Sequence, residues 1–122
     1  MPGAAVPHFE SVVIDCPDPE ALARFYGALL EWPAGPGGDA DHFTAEPPDG
    51  GTALTFQRAE NFVAPTWPDA TVPQQAHLDL VVDDPDAAHE RAIALGARHL
   101  GTQATFRVYA DPVGHPFCLC SW

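Results

Sequence analysis

The sequence predicts an α+β fold made from two copies of one strand–helix–strands unit. Two observations carry that expectation: a faint internal repeat, and acidic helix starts and Pro-Gly turns that punctuate both copies alike. Residues 11–22 recur in pattern as residues 77–88, at a constant offset of 66 (77 − 11). In each copy an apolar strand, Ser11-Val12-Val13-Ile14-Asp15-Cys16 or His77-Leu78-Asp79-Leu80-Val81-Val82, runs through an acidic turn into a helix.

The helix starts follow from local chemistry. Asp18 and Asp84 can accept from orphan amides, Pro19 and Pro85 suit the first helical position, and Glu20 and Asp86 complement the helix dipole. Leu22, Phe25, Tyr26 and Leu29 then recur at helical spacing, as do Ala88, Ala92 and Leu95, with Gly96 placed to end the second helix. Further strands are expected at 42–45 and 52–58 in the first half. In the second they are expected at 99–100, 105–110 and 116–120. The turns Pro48-Asp49-Gly50-Gly51 and Asp111-Pro112-Val113-Gly114 precede the last strand of each half. The proline-rich stretch 61–73 between the halves carries Phe62, Val63 and Trp67, so it reads as an ordered crossover.

Composition bounds the function. A chain of 122 residues fits one domain, here residues 1–122, with module 1 at about 8–58, the crossover at about 59–74 and module 2 at about 75–122. Five arginines, no lysine and 17 acidic residues give a net charge of −12, which argues against nucleic acid and anionic membranes as partners. No secretory signal or membrane-length apolar run is evident, and the three cysteines are an odd number, so a cytoplasmic protein with reduced thiols is expected.

Three segments together resemble the vicinal oxygen chelate superfamily, in its glyoxalase, bleomycin-resistance and dioxygenase branch. They are Asp15-Cys16-Pro17-Asp18-Pro19 with Phe25-Tyr26; Pro65-Thr66-Trp67-Pro68 leading to His77-Leu78-Asp79-Leu80; and Asp111-Pro112-Val113-Gly114-His115-Pro116-Phe117-Cys118-Leu119-Cys120. The resemblance covers nearly the whole chain. It implies two βαβββ modules related by pseudo-twofold symmetry, forming a curved eight-stranded mixed sheet around a cavity, and a homodimer. In that family the cavity holds a divalent metal or, in metal-free relatives, a drug; shared fold alone does not decide between them.

Strand alternation sorts the faces. Val12 and Ile14; Leu78, Leu80 and Val82; and Phe117 and Leu119 are expected under the helices, with Leu54 and Phe56 as the core pair of their strand. The opposite faces then carry Ser11, Val13 and Asp15; Thr55 and Gln57; His77, Asp79 and Val81; and Cys118 and Cys120. The ligand-binding candidates are therefore Ser11, Thr55, Gln57, His77, Asp79, Cys118 and Cys120, together with Trp67 at the crossover. Arg107 and Tyr109 join them if their strand face turns inward, a matter of register.

The resemblance puts the family's metal ligands at Ser11, His77 and Cys118, with Leu54 or Thr55 as the remaining position. Only His77 keeps the usual donor, so no metal or other cofactor is expected, and His77 is the ligand if an ion is held. His89 is expected solvated on its helix, His115 in a turn, and His8, His42 and His99 show no ligand spacing.

Binding of a small organic molecule without turnover is the leading expectation. The alternative is a lyase, isomerase or dioxygenase, either metal-dependent or using His77 and Asp79 as acid and base, with Cys118 as a less favoured nucleophile. A third reading is a structural module whose cavity is filled by its own side chains.

Overall fold

A computed structural model describes residues 2–122, apart from the side chains of residues 2 and 3. The chain divides into two compact units, the second beginning at Glu60, so that the crossover groups with the second module. Each unit is a four-stranded mixed sheet with one long helix, in βαβββ order, and the fold is α+β as the repeat requires.

In the first unit β1 (Ser11–Cys16) leads into α1 (Pro19–Leu30), followed by β2 (Ala34–Pro36), β3 (His42–Ala45) and β4 (Ala53–Arg58). The sheet order is β1-β4-β3-β2, with β1 parallel to β4 and the other pairs antiparallel. Asp18 caps α1 by accepting from the Ala21 amide at 3.2 Å, and Pro19 opens the first turn. The helix buries Leu22, Phe25, Tyr26 and Leu29. Tyr26 stacks on Phe56 with ring centroids 5.5 Å apart, and both are fully buried beside Leu54, Ala45 and Cys16. Burial on this scale contributes about 1.5–3 kcal/mol for each large side chain, so the helix stripe and β4 hold the unit together.

The short β2 escapes sequence reading. Trp32-Pro33-Ala34-Gly35-Pro36-Gly37-Gly38 has loop composition, and only its antiparallel pairing with β3 makes residues 34–36 an edge strand, where proline is tolerated.

In the second unit β5 (Leu78–Val81) precedes α2 (Pro85–Leu95), β6 (Arg98–Thr102), β7 (Phe106–Ala110) and β8 (Pro116–Cys120). The sheet order β5-β8-β7-β6 repeats that of the first unit, with β5 parallel to β8. Asp84 caps α2 through the Ala87 amide at 3.1 Å, and Gly96 ends it at φ +116°, a left-handed conformation that favours glycine. Of the residues in α2 only Ala92 is buried. Polar contacts therefore supplement its docking: Asp86 accepts from Arg107 at 2.7 Å, and His89 Nδ1 lies 2.8 Å from the Tyr109 hydroxyl. Tyr109 in turn stacks on Phe117, with centroids 5.4 Å apart and both rings fully buried.

Those contacts settle the register left open by the sequence. Tyr109 pairs with Phe117 and Arg107 with Leu119, so all four side chains belong to the face that meets α2. Arg107 and Tyr109 thus leave the set of ligand candidates and act as docking points for α2. His89, expected to be solvated, is half-buried against Tyr109 for the same reason.

Candidate functional site

The face of the second sheet away from α2 carries Asp79, Val81, Val108, Cys118 and Cys120, since Asp79 pairs with Cys118, Val81 with Cys120 and Val108 with Cys118. Part of this face is closed. Val108, Cys118 and Cys120 form a small buried cluster against which Trp67, Leu100 and Phe106 pack. The half-buried Trp67 therefore serves the packing of the crossover, and Cys120, fully buried, is withdrawn from the ligand candidates.

The face stays accessible along β5, where Asp79 and Val81 are both exposed. His77 stands just ahead of that strand and Asp79 two residues on, so period-two alternation brings both side chains to one side. His77 Nε2 lies 3.3 Å from Asp79 Oδ1, and the two side chains remain 42% and 47% exposed. Cys118 joins them from β8: one donor atom from each of His77, Asp79 and Cys118 lies within 4.8 Å of the others. The parallel pairing of Asp79 with Cys118 is what brings the thiol close to the imidazole.

Electrostatics fix the state of that thiol. Burial pushes the Cys118 pKa up to about 11, and the Asp79 charge, Cys120 and a hydrogen bond to Asp79 push the same way. Burial, followed by the Asp79 charge, also raises Cys120. These causes favour the neutral thiol over the thiolate.

In the first unit the matching face carries Ser11 and Thr55, joined by a 3.2 Å hydrogen bond from the Thr55 hydroxyl, with Gln57 exposed farther along β4. Ser11, Thr44 and Thr55 line a recess of about 320 Å³ that also includes Glu10 and Glu46. Hydroxyls and carboxylates of this kind suit a polar group. Of the family's metal positions, Ser11 and Thr55 offer hydroxyls and Leu54 is buried in the core, so this half supplies no imidazole or carboxylate at those positions.

One feature of the second unit lay beyond sequence reasoning. Asp111, only 2% exposed, accepts through Oδ1 from the amides of Val113, Gly114 and His115, each at 3.0 Å. An aspartate before Pro-Val-Gly signals a turn; its burial depends on tertiary contacts that no local pattern displays.

A sheet-and-helix module of this order, duplicated and with its polar residues on the face away from the helix, defines a class of protein. The comparisons name it: residues 11–120 match the model of the glyoxalase-like domain, and the chain belongs to that family, within the vicinal oxygen chelate superfamily. Among solved structures it is similar to a glyoxalase/bleomycin resistance protein/dioxygenase family enzyme from Burkholderia phytofirmans PsJN, with a TM-score of 0.75, 16% identity, and coverage of 94% of this chain and 98% of that one. A glyoxylase/bleomycin resistance protein/dioxygenase domain from Frankia sp. EAN1pec has a TM-score of 0.66 and 19% identity over 96% and 98% of the two chains. A glyoxalase-related enzyme from Fulvimarina pelagi has a TM-score of 0.67 and 21% identity over 96% and 89%. No curated protein matches. At such identities the likeness is one of fold.

Proposed function

We propose that this glyoxalase-like protein binds a small organic molecule at His77 and Asp79, beside the buried Cys118, without the standard metal site of its superfamily. The observation that carries this reading is the make-up of the positions where the resemblance implies metal ligands: Ser11 and Thr55 offer hydroxyls joined to each other at 3.2 Å, Leu54 is buried in the core, and a buried thiol, Cys118, stands where an acidic ligand is usual. The half-exposed His77 and Asp79 can instead hydrogen-bond an incoming ligand. The net charge of −12 favours neutral or cationic molecules over anions.

A second reading rests on a specific observation too. An imidazole nitrogen, a carboxylate oxygen and a sulfur within 4.8 Å of one another are chemically suited to a thiophilic divalent ion such as zinc. His77, Asp79 and Cys118 would hold it, and it would act as a Lewis acid in an enzyme of the lyase, isomerase or dioxygenase kind. Loading would have to displace the Cys118 proton against the adjacent Asp79 charge.

Saturation-transfer NMR with a library of neutral and cationic aromatic fragments tests the proposal. Saturable binders that weaken about tenfold or more in His77→Ala and Asp79→Asn, at unchanged fold, are expected. Absence of binders, or binders indifferent to both substitutions, overturns it.

A further inference from the structure

The second unit holds another recess, of about 570 Å³, whose lining includes none of His77, Asp79 or Cys118. Its walls come from the crossover, β6 and the β7–β8 turn, and include Trp67, Asp69, Arg98, Leu100, Asp111 and Gly114. The volume lies within the range of about 300–1,000 Å³ usual for small-molecule sites.

Both walls are built rigidly. On the crossover side, Thr66 N donates to Val72 O at 2.8 Å, Val72 N returns a bond to the Thr66 hydroxyl at 2.9 Å, and Asp69 Oδ1 accepts from Thr71 N. Opposite, Asp111 gathers three amides of its turn. Gly114, at φ +106°, leaves no room for a side chain: a Cβ there would lie 2.9 Å from that of Ala64. The two walls are thereby keyed together.

The charges in the recess are unmatched. Arg24, Arg58 and Arg107 all pair with carboxylates, whereas the Arg98 guanidinium has no hydrogen-bond or ion-pair partner among the described residues. Asp69 has no cationic partner either, its Oδ1 being engaged only by Thr71. Asp111 is engaged by the three amides of its own turn. Apart from this turn-bound aspartate, the recess holds one cation on β6 and one anion on the crossover, not bridged to each other, with Trp67 and Leu100 as apolar surface.

We propose that this recess binds a small zwitterion with an apolar body, of the α-amino acid class. Its carboxylate meets Arg98, its ammonium meets Asp69, and its side chain rests on Trp67 and Leu100. The assignment rests on the recess alone and is independent of the site at His77. A neutral overall ligand also avoids the repulsion that a chain of charge −12 exerts on an anion.

Calorimetric titration of the full chain with L-phenylalanine tests it, alongside 3-phenylpropanoate, which lacks the ammonium, and 2-phenylethylamine, which lacks the carboxylate. Saturable binding is expected for the amino acid, about tenfold weaker or more for each half-analogue and in R98Q and D69N, and unchanged in R24Q, which removes the same charge from α1. R98K, which keeps the charge, should bind better than R98Q and separates loss of charge from loss of fold. No saturable binding of L-phenylalanine overturns the proposal, as do analogues that bind equally well or an R24Q effect as large as that of R98Q.

Discussion

His77 Nε2 and Asp79 Oδ1 lie 3.3 Å apart at the accessible start of β5, and the same carboxylate stands beside the Cys118 thiol across the β5–β8 pairing. One aspartate therefore joins the imidazole to the thiol. Replacing it by asparagine removes a negative charge that raises the Cys118 pKa. Asp79→Asn should lower that pKa and speed alkylation by iodoacetamide severalfold at fixed alkaline pH. A mass-spectrometric rate for the Cys118 peptide reads this directly; an unchanged rate would break the link between the two residues.

The raised thiol pKa also has a consequence for stability. Cys118 binds its proton more tightly folded, at about 11, than an ordinary thiol does, at 9.0. Its contribution is fully present below the unfolded value and is lost as pH rises through the folded one. Urea midpoints should fall between about pH 9 and pH 11, more steeply for the wild type than for Cys118→Ser, which removes this titration while leaving those of Cys120 and Tyr109.

Removal of Arg107 should leave ligand binding at His77 intact, because its guanidinium is committed to Asp86 on α2. Tyr109→Phe should cost about 1 kcal/mol through loss of the contact with His89, again without affecting affinity. Denaturant unfolding together with the fragment titration separates the two effects. A loss of affinity in either variant would return the α2 face to the site.

Core and cap substitutions should rank predictably. Phe56→Ala, which empties the stack under Tyr26, should cost about 3–5 kcal/mol, whereas Asp18→Ala and Asp84→Ala should each cost about 1 kcal/mol. Similar losses at the two caps would express the internal repeat in energetic terms.

The parts of the fold legible in the sequence were those set by local chemistry. Asp18-Pro19 and Asp84-Pro85 start helices because capping needs only neighbouring amides, and Gly96 stops one because the left-handed region favours glycine. Strand alternation likewise placed His77 and Asp79 on one face and Ser11 and Thr55 on the faces away from the helices, where the fold joins the two hydroxyls. What escaped depends on partners distant in the chain. β2 exists through β3, and Arg107 and Tyr109 were sorted only by the register of β7 against β8. The burial of Cys120 required Trp67, Leu100 and Phe106 to fold over it. Arg98 and Asp69, 29 positions apart (98 − 69), share no motif at all; only the folded crossover puts them in one recess.

The most direct test is elemental analysis of tag-free protein, with the best fragment titrated on the same sample before and after chelation. Metal well below one ion per chain and an affinity that chelation leaves unchanged are expected. A stoichiometric ion that is lost in His77→Ala, with fragment binding abolished by the chelator, would contradict it and make His77, Asp79 and Cys118 a metal centre.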